Sequence, residues 1–493
     1  MRARIILAAV LLALAGQVQA DVVPLVAVDQ VLLDLPRAGA LSAPDMADAA
    51  RLAGQKVAGL VGMTLAVPPV AVPPAALPIG GPVAQIAMGE VQLAMTQLAI
   101  DAGTNDMLGV MRAQQGDTSA ILVTAGTTTL ADLLAAGVIG LSQDAQGYHL
   151  TRPLVIWTDA GLTMAPGEVL HLDRSAGAFV LSFGQVTLTQ STLRGDGAAN
   201  AGNADFAPFL LVAGRGSLVA TGSAFADLGM PDTTLFGGLS VVSRGLLRPD
   251  RASQLVGNTF TDTQSILLQG TDGAQVIGNL VEGAHAGGIV LSGGADGVIA
   301  GNDLLVGAAR AAIRVTDGTK AAAVVGNLVL RAPVNGIVVD VATQGVAIRD
   351  NIVLFSGDAG LVMRRTSCVQ VQGNVLARNG ATGLRMQNAG DLAITQNAIL
   401  LNGGVGVEVV AQPAHGHSVI GRNVIAGNRE GLRGAGIGQL SLQDNQLSAQ
   451  RPRLFAGEFA QYQAAFLTAV EQRGQTDFVI GPVSATIATC EGE

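Results

Sequence analysis

Aromatic residues are scarce. The chain of 493 residues holds 12 Phe, 2 Tyr and 1 Trp, too few to build the wall of stacked rings on which single-stranded nucleic acid is usually held. Charge is scarce as well, at 13%, and 28 Lys and Arg against 37 Asp and Glu leave a net charge of -9. A nucleic-acid backbone is repelled by that balance, so no nucleic-acid partner is expected. Two cysteines, Cys368 and Cys490, exclude a disulfide-dense scaffold; a bridge between them is permitted in an exported protein, but Cys368 reads as an unpaired, inert thiol. Of the five histidines, His149, His171, His285, His415 and His417, only His415-Gly416-His417 has ligand-like spacing. It reads as a surface loop because no third ligand is near it in sequence, and no metal or other cofactor is expected. No apolar run reaches the ~20 residues of a membrane span. The run Ile5 to Ala15 follows Arg2 and Arg4 and ends in Val18-Gln19-Ala20, which predicts a signal peptide over residues 1–20 and a periplasmic or secreted protein.

What the chain has in quantity is hydrophobic residues, 49%, and glycine, 65 in all, and in its second half they are ordered by a repeat. Asparagine recurs at Asn258, Asn279, Asn302, Asn327, Asn351, Asn374, Asn397, Asn423 and Asn445, in steps of 21 to 26 residues. Most of these asparagines end a short β-branched run (QVIGN, GVIAGN, AVVGN, VQVQGN). A second alternating run opens on a small residue about fifteen positions earlier (GGIVLSG, NGIVVDV, AGLVMRR). A period of 20–29 residues without helical content indicates a β-solenoid, and a leucine-rich repeat is excluded by the missing LxxLxL spacing. The fold class is therefore all-β, a right-handed parallel β-helix of about twelve coils counted from Leu154, with short helical caps at both ends. The asparagines are expected to form a column that passes amide hydrogen bonds from coil to coil.

The predicted layout is a helical, Pro-rich region over residues 21–120, the β-helix over 121–450 and a helical cap over 451–493. Ser42 and Pro44 open a helix that runs to about Val61. A Pro-rich linker from Val67 to Pro82 separates it from a second helical segment near 84–100. A strand ILVTAG leads into a short helix, Thr127–Ala136, and a last helix, Ala456–Arg473, closes at Gly474.

From about Thr118 to Val410 the chain resembles the periplasmic mannuronan C5-epimerases. The matching phrases are SAILVTAGTTTLADLLAA, LTRPLVIWTDAGLTMAPGEVLHLDRSAGAFVLSFGQVTLTQS and APFLLVAGRGSLVATGSAFADLG, followed by the Asn-punctuated coils. The resemblance implies export, an anionic polysaccharide as partner, the polysaccharide export machinery as a further one, and inversion at C5 of a uronate. That reaction needs a group to neutralise the carboxylate, a base to remove H5 and an acid on the opposite face. By the resemblance, the family's Asp-Pro-His-Asp run falls on Val290-Leu291-Ser292-Gly293 and its Ser-Arg pair on Thr316-Asp317, so the family's catalytic groups are missing there. Strand alternation points Val290 and Ser292 outward, and neither moves a proton at neutral pH.

The same alternation predicts an outward strip of Arg314, Asp340, Arg364 and Arg385 on successive coils, about 15 Å long at 4.8 Å per coil. Two readings follow. In one the strip binds the carboxylates of a polyuronate through planar guanidinium forks, with Asp340 as the one weak candidate for a catalytic base. In the other it is a solvated strip in which Asp340 is salt-bridged between arginines and is a poor base. A paired-carboxylate glycosidase is disfavoured because no adjacent Asp-Asp pair occurs. The sequence thus predicts an exported protein that binds or modifies an anionic polysaccharide; the alternatives are an epimerase with relocated groups and a structural envelope protein without a sugar ligand.

Overall fold

The computed structural model describes residues 23–66 and 84–480, apart from positions 38, 106, 246–247, 306, 308–309, 415 and 474–477. The expected signal peptide and Pro-rich linker, with His415, Gly474 and Cys490, lie outside the described residues.

Each coil is built from three short strands, and equivalent strands of successive coils pair in parallel. Ile289–Ser292, Ala311–Thr316, Asn335–Asp340 and Ala359–Arg364 belong to sheet one. Val298–Ala300 and Ala323–Val325 belong to sheet two, Asp303–Leu305 and Leu328–Leu330 to sheet three. About 13 turns stack in this way, and sheet three holds 14 strands. The turn count exceeds the sequence expectation because the first coil begins earlier, at the strand Ser119–Thr129, which pairs with both Leu154–Ile156 and Ala160–Met164.

Parallel pairing in register sets like side chains on one another. Ile289, Ile313, Ile337, Leu361, Leu384 and Val407 form one such column inside sheet one, and all are fully buried. Each contributes roughly 1.5–3 kcal/mol by burial.

The asparagine column is a continuous buried ladder. Asn327 Nδ2 donates to Asn351 Oδ1 at 3.0 Å, and Asn351 Nδ2 donates to Asn374 Oδ1 at 2.9 Å. The pattern runs from Asn258 to Asn445. The residue before each asparagine lies in the left-handed region: Gly257, Gly278, Gly301, Gly326 and Gly373 have φ between 62° and 70°, which explains the recurring Gly-Asn pair. A second, shorter ladder, Asn379–Asn402–Asn428, runs along the turn into sheet one, with 3.0 Å between Asn379 Nδ2 and Asn402 Oδ1.

The helical segments depart from expectation in three places, one being 456–473, where the strand Arg453–Gly457 of sheet one and a 3-10 turn, Glu458–Tyr462, precede the helix Gln463–Arg473. The stretch near 84–100 is a strand, Gln85–Glu90, followed by a helix, Val91–Ala102; antiparallel pairing of that strand with Ser119–Ala125 overrides its helical pattern. The helices Leu25–Leu33 and Ala43–Leu60 do not sit over the first coil. They lie along the flank of sheet three, where Val28, Met46, Ala50 and Val57 pack on Leu328, Ile352, Val375 and Ala398. Ser42 does cap the second of them, accepting from the Asp45 N–H. At the start of the solenoid the short helix Leu130–Ala135, with its Thr129–Asp132 capping box, places Leu130 and Leu133 in the core. At the far end Phe459 and Phe466 close the core, and Phe478–Ile480 pairs antiparallel with the last strand of sheet two, which covers its edge.

Candidate functional site

Sheet one presents an outer column that changes character along the axis. Over the early coils it is apolar, and Met95, Leu98 and Val110 of two short helices cover Val155, Leu181, Leu211 and Leu267. The cover ends there. Beyond it the column continues in register as Val290, Arg314, Val338, Val362, Arg385, Glu408 and Arg433.

Where the cover stops, a hollow of about 590 Å³ opens, lined among others by Asp232, Gln264, His285, Val290, Arg310 and Arg314. His285 belongs to the loop between Leu280–Glu282 and Ile289–Ser292. Its backbone N–H donates to Thr263 O at 3.0 Å, and its Nε2 lies 3.4 Å from Asp262 Oδ1. A neighbouring carboxylate at this distance limits how the ring can turn. Arg310 is exposed, and no ion pair among the described residues engages it. Strand-based reasoning passed over both residues, because each enters the hollow from a loop and loops carry no side-chain period to read.

The four residues of the expected strip divide into two side-chain columns. Arg314 and Arg385 share the column just described, whereas Asp340 pairs in register with Arg364 one column over. Asp340 is fully buried. Its carboxylate accepts from Arg314 Nε at 3.2 Å, from Arg314 Nη2 at 3.0 Å and from Arg364 Nη2 at 2.7 Å. Burial alone would raise the Asp340 pKa, but the nearby Thr316 hydroxyl and the bonds from Arg314 and Arg364 outweigh it and hold the carboxyl below its ordinary range. A carboxylate so occupied is a weak base. Arg385 is bound in turn by Glu408 at 2.7 Å and by Asp358 at 3.5 Å. Burial pulls its pKa down, yet these two carboxylates more than compensate and raise it. The sequence reading had not placed Glu408 or Asp358 beside it.

A second hollow, of about 410 Å³, lies farther along the same face, and Arg385, Glu408, Arg429, Glu430, Arg433 and Arg453 are among its lining residues. Arg433 is held by Glu430 at 2.7 Å.

At the positions where the family resemblance puts catalytic groups, Val290 is partly buried and packs against the apolar cluster under the helices. Ser292 is buried and donates to Asp317 Oδ2 at 2.8 Å. Ser292 thus faces outward as strand alternation requires, without being open to a ligand. Cys368, read from the sequence as unpaired, is disulfide-bonded. Pairing is decided by the Cα–Cα distance in the fold, which separation along the chain does not reveal.

Comparison with known proteins places the fold. The family described as periplasmic copper-binding protein (NosD) matches residues 250–450. The crystal structure of the periplasmic alginate epimerase AlgG is similar at 17% identity, covering 78% of this chain and 94% of that one, with a TM-score of 0.63. A double mutant of AlgG gives 18% identity over 78% and 94% of the two chains, again at 0.63. No curated protein matches the chain in sequence. Copper sites draw on Cys, Met and His, but Met363 and Met386 are fully buried in the core and Cys368 is in a disulfide. Among the described residues no group of three or more His, Cys, Asp or Glu is placed to hold a metal ion. Met363, Met386 and Cys368 are therefore not placed to bind copper.

Proposed function

We propose that this β-helix is an exported protein, located in the periplasm or outside the cell, that binds an anionic, uronate-containing polysaccharide along the outer face of sheet one. The observation that carries the reading is the change in that face at Val290, from an apolar column under helices to an open one lined by Arg310, Arg314, Arg364 and Arg385. Guanidinium forks match carboxylates, and Arg310 stands in the first hollow without an ion pair among the described residues, in a chain whose overall charge is -9. Likeness in fold to an alginate epimerase agrees with a ligand of this class.

The two halves of the face have different parts. Arg314 and Arg364 are fixed by Asp340 and offer only their outer N–H groups to a ligand, whereas Arg310 has its full fork free for a carboxylate entering the first hollow. Retention on immobilised polymannuronate tests this. Wild type should be retained at low salt and released as salt shortens the Debye length below about 8 Å, and Arg310→Glu should lose retention while melting as wild type does. Absence of salt-sensitive retention on any polyuronate would refute the reading.

A second reading is favoured by one arrangement, the His285–Asp262 pair at the mouth of the first hollow beside two arginines. There His285 would be the base of a C5 epimerase whose groups have moved from strand to loop. Proton NMR of polymannuronate after incubation would show guluronate-type signals, and His285→Ala would abolish them.

A further inference from the structure

The two hollows are separate in the chain but collinear in the fold. Arg314, at the rim of the first, and Arg433, in the second, occupy one continuous side-chain column, five strand pairings apart. At about 4.8 Å per pairing they stand about 24 Å apart along the axis. Between them the face does not offer net positive charge. Val338 and Val362 in the column are 6% and 7% exposed, and the arginines beside them share Asp340.

The second hollow differs from that interval in its charge balance. Arg385, Arg429, Arg433 and Arg453 line it against two glutamates, Glu408 and Glu430. Glu408 is used by Arg385 and Glu430 by Arg433, while no ion pair among the described residues engages Arg429 or Arg453, both exposed. The surplus is therefore cationic, and it faces a cavity rather than a convex surface. The first hollow is closer to balance, with Arg310 as its unpaired guanidinium and Asp232 as a carboxylate in its lining.

We infer that the hollow formed by Arg429, Arg433 and Arg453 is a second anion subsite, and that the protein measures its ligand: it selects a linear polyanion long enough to place acidic groups in both hollows at once. The inference rests on the reading that this face binds a uronate polymer, and it adds the direction of the chain, along the solenoid axis, and a minimum length. Once one acidic group is seated, the second hollow meets the next at a high effective concentration set by the polymer itself. A rigid, extended ligand that matches the spacing gains most, and one too short to span it gains nothing.

Binding of length-defined mannuronate oligomers, measured by titration calorimetry on the whole protein, tests this. Affinity should be weak and nearly constant for oligomers shorter than about 24 Å, then rise by at least about tenfold once the span is reached. The double variant Arg429→Ala, Arg453→Ala should lose that rise and keep the wild-type affinity for short oligomers. Arg310→Ala should lose the rise as well, but should weaken the short oligomers only where they occupy the first hollow. A smooth increase in proportion to oligomer length, or a double variant that retains the step, would overturn the inference while leaving uronate binding in place. No binding at any length would instead refute the underlying reading. If the double variant melts below wild type, the length series on wild type alone still decides, because the step is a property of the unaltered protein.

Discussion

Replacing Asn351 by Leu keeps the branched outline of the side chain and removes one rung of the buried ladder. The amide makes four hydrogen bonds: its Oδ1 accepts from Asn327 N and Asn327 Nδ2, both at 3.0 Å, and its Nδ2 donates to Val324 O and Asn374 Oδ1, both at 2.9 Å. Asn374 Oδ1 keeps a partner in the Asn351 backbone N–H, and Asn327 Nδ2 keeps Ile299 O. What remains is the Asn327 backbone N–H without its acceptor, one amide hydrogen of Asn327 unused and Val324 O without this donor, all around residues 0% exposed. At about 1–3 kcal/mol for each buried unpaired group, and allowing for the apolar burial that Leu adds, the loss should be about 3–5 kcal/mol. The control is Gln372→Leu in the next coil, whose amide bonds Gln396 at the exposed surface; that change should stay within about 0.5 kcal/mol. Urea unfolding followed by circular dichroism gives both values. If the two variants unfold at the same urea concentration, the ladder does not stabilise the turn in the way described.

Three further outcomes follow from the charged contacts. Asp340→Asn should release Arg314 and Arg364 from their shared carboxylate, so retention on polyuronate should hold or strengthen; weaker retention would mean that Asp340 orders the arginines for binding. Asp340 has a folded pKa below its unfolded value, so its stabilisation is complete above about pH 3.9 and is lost as pH falls through the folded pKa. Thermal melts of wild type should therefore fall more steeply with pH below about 4 than those of Asp340→Asn, and parallel slopes would contradict the assignment. Arg51→Ala removes bonds to Gly301 O, Asn302 O and Gly326 O and the 2.6 Å pair with Asp303; hydrogen exchange in the helix Ala43–Leu60 should accelerate while the coils keep their protection, and uniform acceleration would show that helix and solenoid unfold as one unit.

The solenoid was legible because its physics is periodic. A parallel stack needs the same residue type at the same place in each coil, and nine asparagines supply that signal. The second ladder at Asn379, Asn402 and Asn428 carried the same kind of signal, with steps of 23 and 26 residues, and would have been found by searching for a second phase. Strand alternation gave outward directions for Arg314 and Arg364, but direction is not exposure. Asp340 points outward and is fully buried, because its two arginines close over it. The placement of Arg314 and Arg385 in one column and Asp340 and Arg364 in another is a two-residue difference in register on one face, which strand ends read from sequence do not resolve. His285 and Arg310 were not legible at all, since the loops that carry them follow no period. The position of the first helices was hidden for a related reason: an apolar helix face shows that something is covered, and here the covered surface is the flank of coils some 300 residues away.

The constancy of the asparagine rungs sets the terms on which such a protein can vary. Steps of 21, 23, 25 and 26 residues all give Nδ2 to Oδ1 distances of 2.9 Å, so the ladder indexes each coil whatever its length. Extra residues must then loop out between indexed positions, as at 283–288, where His285 is found beside the first hollow. A lineage can lengthen or shorten those loops without shifting a core side chain or a rung. Ligand preference and fold stability become separately inheritable traits, and the rim of the groove is where descendants of one scaffold are free to diverge.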